Sequence, residues 1–435
     1  MPSPASGGAS ALQIRGIWFG VFRVRENGCL TALVTPLLLT LALLAAFGPI
    51  ATDLYLPGFP AMAHDLGADA SGVQLTLTAF LAGLACGQLV TGPISDRYGR
   101  RRPLLISASV CVLAGVVAAT APNLAVLVAA RLVQGFTGAG GLVIGRAIVA
   151  DLTTGRAAAR ALTLMMTIGG VAPVLAPLAG GLLAEPVGWR GMLWTVTGLC
   201  ALMLIAVAVN VPETRAASAR GQKGSLRNAG YWADTAVFAF SFASMMAYIS
   251  ASPFLYQRVV GLSEVAYGVA FGINAIGLIT TGALVGRAVE RIDPRRVVAI
   301  ALTVEVTATM IFVGLVLTGA PAWSYPVPIF FAVSAHGGVM GPSAALAMGH
   351  VRSVAGRASA VLGFSQFGLG AVVSPLVGLG GERSALAPAL VMASAALVAS
   401  AAAITGYRRL RRAAGGAATP RPGRRRDADA SVPPP

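Results

Sequence analysis

The sequence predicts an all-α membrane protein in which twelve transmembrane helices form two six-helix halves around a central cavity. Three observations carry that prediction. Hydrophobic residues make up 56% of the chain and charged residues only 11%, against roughly 25% charged in a soluble domain. The apolar residues fall into twelve runs. Each is long enough to cross a bilayer, at about 1.5 Å per residue over a ~30 Å core. Finally, most of the 32 Lys and Arg residues gather on one side of those runs.

The runs lie at 31–57, 73–94, 104–121, 124–150, 160–184, 191–211, 231–252, 265–286, 297–318, 326–348, 358–379 and 385–406. Residues 1–30 form an N-terminal tail without the apolar core and small-residue cleavage site of a signal peptide. The one long polar interruption, 212–230, carries Arg215, Arg220, Lys223 and Arg227 and separates a half at 31–211 from a half at 231–406. Residues 407–435, rich in Arg and Pro, cannot bury a core and read as a disordered basic tail. A weak repeat links the halves. Gly87-Gln88-Leu89-Val90 precedes Arg100-Arg101, and Gly282-Ala283-Leu284-Val285 precedes Arg295-Arg296 at the same spacing.

Only Arg190, Arg258 and Arg383 fall on the side opposite the tails, and Arg131 and Arg146 lie within the fourth run. This bias places both termini in the cytoplasm of an inner-membrane protein. The net charge of +16 therefore reports orientation and contact with anionic lipid, not a nucleic-acid partner. Cys29, Cys86, Cys111 and Cys200 lie in or beside apolar runs and read as small buried hydrophobes. His64, His336 and His350 form no cluster. No metal, cofactor or catalytic constellation is expected, and no enzyme. A monomer is expected.

Between the second and third runs stands Gly92-Pro93-Ile94-Ser95-Asp96-Arg97-Tyr98-Gly99-Arg100-Arg101, read as a tight basic loop. It resembles the signature loop of the major facilitator superfamily, G-x-L-A-D-R-x-G-R-R. That resemblance implies a gating role for Gly92, Asp96, Arg97, Gly99, Arg100 and Arg101, with Asp96 latching the two halves when the inner side is shut. The end of the fourth run, with Arg146 and Asp151, resembles the family's A-R-A-I-x-x-D ending and joins that gating set.

The first run ends Asp53-Leu54-Tyr55-Leu56-Pro57, which resembles the D-x-Y-L-P motif of the Bcr/CflA branch of drug:proton antiporters. An acid inside a membrane run is protonated, paired or functional. Asp53 is accordingly the candidate proton carrier, the other reading being a helix-end acid wetted from outside. Related exporters carry a further glutamate two turns earlier, where this chain has Ala45. Arg131 opens an R-x-x-x-G element like that of proton-coupled facilitators and is the electrostatic counterweight to Asp53, unless it snorkels outward.

The fifth run, with Gly169, Pro173, Pro177, Gly180 and Gly181, resembles the antiporter motif, which in the family marks exporters. The seventh, Tyr248-Ile249-Ser250-Ala251-Ser252-Pro253-Phe254, resembles a Bcr/CflA block. Tyr55, Gln134, Tyr248, Ser252, Phe254 and Gln366 are the candidate substrate contacts, since hydroxyls and aromatics in an apolar wall suit an amphiphilic drug. Glu305 is the only acid deep in the second half. The resemblance implies proton-coupled efflux of a drug-like molecule. The alternatives are uptake of a small metabolite by the same fold and, from another class, a membrane-embedded enzyme.

Overall fold

The computed structural model describes residues 36–152, 155–214, 226, 228–351 and 355–417. The side chains of 150, 155–170, 355–356 and 409–417 fall outside that description. So do residues 1–35, which hold the N-terminal tail and Cys29, most of the loop at 212–230, and residues 418–435 of the basic tail.

Among the described residues every element is helical, and eleven helices are long and apolar enough to cross a membrane. One of them is double. The stretch Gly155–Asn210 breaks at Gly188, where φ is +64° and ψ is −179°. Glycine reaches that conformation without steric cost, so the chain turns there between two spans. The twelve helices are α1 Pro36–Asp53, α2 Ala70–Tyr98, α3 Arg101–Ala119 and α4 Leu124–Leu152, then α5 at 155–187 and α6 at 189–210. The others are α7 Ala229–Phe254, α8 Glu264–Ala288, α9 Pro294–Leu317, α10 Pro326–Gly349, α11 Ala355–Leu376 and α12 Leu386–Ala417. Helix α12 thus runs on into the stretch read as tail.

Polar caps set several starts. Asp69 accepts from Gly72 N, Ser263 from Ala266 N, Asp293 from Arg295 N and Asn228 from Gly230 N. Each satisfies a backbone donor that the helix itself cannot. Large apolar side chains such as Ile106, Leu113, Ile205, Ile300 and Val372 stand open on the outer faces, as a bilayer allows and water does not.

Two corrections to the sequence reading concern helix ends. The first run is not one helix: α1 stops at Asp53, and a 3-10 turn, Leu56–Gly58, and a short helix, Phe59–Leu66, follow. The signature decapeptide is not mainly loop either, because α2 continues to Tyr98 and α3 starts at Arg101. The turn is made by Gly99, at φ +88°, and Arg100.

Contact between the first six and last six helices runs mainly along two seams, α2 on α11 and α5 on α8. The polar bonds across the seams lie at the end of the bundle opposite the basic turns. Gln74 Nε2 donates to Ser250 O at 3.1 Å, and Ser374 Oγ donates back to Gln74 O at 3.4 Å, steadied within the second half by the Ser250 hydroxyl at 2.7 Å. Gln257 Nε2 donates to Pro57 O at 3.1 Å.

Candidate functional site

The site begins where α1 ends. A helix leaves its last carbonyls without intrahelical donors. Arg131 of α4 serves one of them: Nη2 donates to Ala51 O at 2.7 Å. Its Nη1 donates to Gln134 Oε1 at 2.6 Å. The guanidinium carbon lies 4.6 Å from the Tyr55 ring centroid and 4.4 Å from that of Phe80, a cation–π sandwich. Arg131 is 0% exposed, so it does not snorkel to a surface. A permanent cation is thereby held by neutral partners: a carbonyl, an amide and two rings.

Asp53, also buried, is two residues from that carbonyl. Its carboxylate accepts from Thr52 Oγ1 at 2.8 Å. The sequence reading set Arg131 as its counterweight, but the two form no ion pair among the described contacts. Arg131 is already engaged one step back along α1. Tyr267 of α8, in the second half, lies within electrostatic reach of Asp53.

The antiporter motif builds this corner. A Cβ at Gly180 would collide with Leu54 O, in the turn just after Asp53, and would approach Pro57 Cγ at 3.1 Å. A Cβ at Gly181 would lie 2.6 Å from Glu264 O, at the start of α8. The paired glycines therefore touch different halves. Pro177 O lies against Gly268 on the same seam, and Pro173 interrupts the ladder one turn earlier. The side-chain surroundings of Gly169 fall outside the description.

The second half supplies an aromatic wall. Asn274 Nδ2 donates to the Tyr248 hydroxyl at 2.7 Å and to that of Tyr256 at 3.1 Å. The hydroxyls of Ser252 and Tyr267 meet at 3.0 Å, and Tyr248 stacks on Phe271 with centroids 5.5 Å apart. Tyr256 reaches the cluster because the chain after Pro253 loosens into a π-helical turn, Leu255–Val259. Phe254 meets Phe59 across the halves at 6.3 Å.

Of the candidate substrate contacts, the structure puts Tyr55 and Gln134 at Arg131, and Tyr248, Ser252 and Phe254 at or beside this wall. Gln366 stands half-buried on α11, next to Phe367, which packs edge-on against Phe242. The sequence reading missed Tyr256, Tyr267, Phe271 and Asn274. Asn274 was findable, as an amide in an otherwise apolar membrane run.

The basic end is organised by Arg100. Its Nε donates to Asp151 Oδ2 at 2.9 Å, and its Nη1 donates to Asp96 Oδ1 at 2.5 Å and to Ser95 Oγ at 2.8 Å. Burial opposes the Arg100 charge, but the two carboxylates more than offset it and hold the guanidinium above its ordinary range. Glu213, another residue the sequence reading missed, accepts from Arg100 N at 2.7 Å and Arg101 N at 3.2 Å, capping α3. Gly99 is required there twice over, by its positive φ and by the Glu213 carboxylate where a Cβ would stand.

Arg101 Nη2 donates to Ala208 O at 2.8 Å, and Arg97 lies over the Tyr98 ring. Gly92 faces Val143 on α4, and Arg146 stands exposed on the same helix. Asp96 is thus engaged within its own half in this state. Cys111 and Cys200 are buried as expected, but as a pair with sulfurs 3.6 Å apart, while Cys86 is exposed.

A model of the Major Facilitator Superfamily matches residues 41–375. The chain belongs to the Major Facilitator Superfamily. It is 36% identical over 374 residues to "Uncharacterized MFS-type transporter YdgK" of Bacillus subtilis, covering 83% of this chain and 93% of the relative. It is 27% identical over 358 residues to "Bicyclomycin resistance protein homolog" of Haemophilus influenzae, covering 78% and 88%. The fold is similar to that of a bacterial homologue of the human lysosomal transporter Spinster, with a TM-score of 0.69 at 16% identity, over 86% of this chain and 97% of the other. This facilitator is therefore a multi-pass membrane transporter.

Proposed function

We propose that this facilitator is a proton-driven exporter of a drug-like amphiphile in the bacterial inner membrane. The observation that carries the reading is the buried acid at the end of α1. Asp53 is buried two residues from the carbonyl that holds a buried cation, Arg131, whose partners are neutral groups, and it lies within electrostatic reach of Tyr267 in the tyrosine wall of the other half. A carboxyl in such a place is cheap when protonated and costly when charged. Once deprotonated it calls for a positive partner, either Arg131 swinging from Ala51 O or a cationic substrate. Proton and substrate then exclude one another. The curated resemblance to a bicyclomycin resistance homologue supports the substrate class.

Both termini lie in the cytoplasm in this reading, which makes the basic turns cytoplasmic. The seam closed by Gln74, Ser250, Ser374 and Gln257 is then the periplasmic gate, and the state is inward-facing. Substrate enters between the halves from the basic end, while the proton arrives from the periplasm after the seam opens. The two halves, 31–211 and 231–406, rock about the site between them. One charge crossing the membrane is worth about 2.3 kcal/mol per 100 mV, which sustains accumulation.

The test is uptake into inverted vesicles under an imposed pH gradient. Asp53→Asn should abolish gradient-driven transport while binding of the same compound in detergent survives. Uphill transport by Asp53→Asn would move the proton site elsewhere. Movement of the compound down its gradient only, with no response to pH, would replace coupling by facilitation.

A further inference from the structure

Away from Asp53, inside the second half, three helices converge on a closed polar cluster. Glu305 of α9, His336 of α10 and Ser241 of α7 are each 0% exposed. Ser241 Oγ lies 3.0 Å from Glu305 Oε2 and 2.9 Å from His336 Nδ1. Glu305 Oε2 and His336 Nδ1 are 3.5 Å apart. The remaining polar atoms, Glu305 Oε1 and His336 Nε2, have no hydrogen-bond partner, nor has Ser244 Oγ one turn along α7.

A hydrogen count decides what this cluster holds. The chain Oε2, Oγ, Nδ1 makes two hydrogen bonds, each needing one hydrogen. Ser241 supplies one. The second comes from the Glu305 carboxyl or from the His336 ring. A carboxylate beside a neutral imidazole would leave one uncompensated charge in a dry interior, at a cost of several kcal/mol. One further proton cancels that charge.

No other charged side chain among the described residues is placed to do so. Asp234 is seven residues from Ser241 along α7, about 10 Å, and is paired with His350 at 3.0 Å. Arg295 and Arg296 stand at the start of α9, Arg296 about 13 Å along the axis from Glu305. Glu264 and Arg287 lie near the two ends of α8, and Arg408 stands beyond the apolar span of α12.

We propose that Glu305, Ser241 and His336 form a second proton-binding site, in which one proton is shared between carboxyl and imidazole through the serine hydroxyl. The exchange balances. The Glu305 O–H bond breaks as that hydrogen bonds to Ser241 Oγ, and the former Ser241 hydrogen leaves Oγ to form N–H on His336 Nδ1. The site changes from two neutral groups to a carboxylate and an imidazolium without taking up a proton from outside. It holds its proton with no route to water in this state, and it stands whatever the transporter carries.

The chain has only three histidines, so full-length protein labelled with 15N-histidine in lipid vesicles gives three resolvable rings. His336→Gln assigns the buried one. The expected His336 Nδ1 signal lies between the protonated and unprotonated positions, or is split between them, and stays fixed from about pH 5 to pH 8. Glu305→Gln and Ser241→Ala should each collapse it to one neutral tautomer and leave the His350 signal in place. Infrared spectra should lose a protonated-carboxyl band in Glu305→Gln but keep it in Asp53→Asn. A His336 ring that is one neutral tautomer in the native protein, unmoved by Ser241→Ala, overturns the proposal. So does a ring that follows bulk pH. The native spectrum and Ser241→Ala decide the question even if Glu305→Gln fails to fold.

Discussion

The two ends of this bundle are fastened by different chemistry. At one end the halves meet through neutral groups: an amide on a carbonyl, a serine hydroxyl on another carbonyl, and glycines pressed on backbone oxygens. At the other end the strong bonds are charged and each stays inside one half: Arg100 ties α2 to α4 and Glu213 caps α3 in the first, and Asp234 meets His350 in the second. On the proposed transport cycle this seam is a gate and each half a rocking body. A gate must open, and neutral hydrogen bonds worth about 1 kcal/mol net each release easily. A rocking body must keep its shape, and charge-assisted bonds between its own helices serve that. The difference teaches where motion is built in: ionic bonds rigidify a half, and close backbone contact with weak polar bonds closes the seam.

The largest effect should come from breaking the neutral seam by bulk. Gly181→Leu puts a side chain where a Cβ already stands 2.6 Å from Glu264 O. Overpacking costs about 1–3 kcal/mol, a shift of roughly tenfold or more away from the closed seam. Spin labels replacing His64 and Arg383, both exposed at that end, should separate in Gly181→Leu and transport should fall at least in proportion. Unchanged label distances would mean that the α5–α8 contact does not hold the gate.

The ionic end should answer with stability instead of state. Glu213→Ala removes a carboxylate that serves two backbone donors at the start of α3. The expected loss is about 1–2 kcal/mol, read as a lower thermal midpoint of purified protein. Label distances at the opposite end should not change. If they do, the ionic cluster is coupled to the gate and the contrast between the ends fails.

Much of this was legible in the sequence. Twelve apolar runs gave the spans because a bilayer leaves the backbone no other unbroken solution. Asp53 and Arg131 stood out because charge in such runs is costly. What was not legible depends on which faces meet. Nothing in the spacing shows that Arg131 caps Ala51 O instead of pairing with Asp53. Nor does it show that Glu305 and His336, on different helices, share a serine from a third. The signature decapeptide looked like loop because it is polar, yet only Gly99 and Arg100 leave helical continuity. Glu213 was hidden by lying outside any run, although an acid just after the sixth span is placed to serve a helix start.

The smallest structural effect is expected at Asp96. Its side chain is 69% exposed and its bond to Arg100 is local, four residues along the chain across the turn at Gly99. Exposed pairs of this kind contribute about 0.2–1 kcal/mol. Asp96→Asn should therefore move the thermal midpoint less than Glu213→Ala, since Asp151 keeps Arg100 in place. Transport separates the two roles left for this acid. If Asp96 only steadies Arg100, efflux in Asp96→Asn stays near normal at equal protein level. If it is the latch of the opposite state, where the basic end closes, efflux falls although stability does not. The His64 and Arg383 label distances then shift further toward the state described here, because only the other state has lost a contact. That second outcome is the expected one. It follows from where Asp96 stands: at the end of α2, a helix that packs on α11 of the other half, mostly exposed, and held by a partner that has a better one.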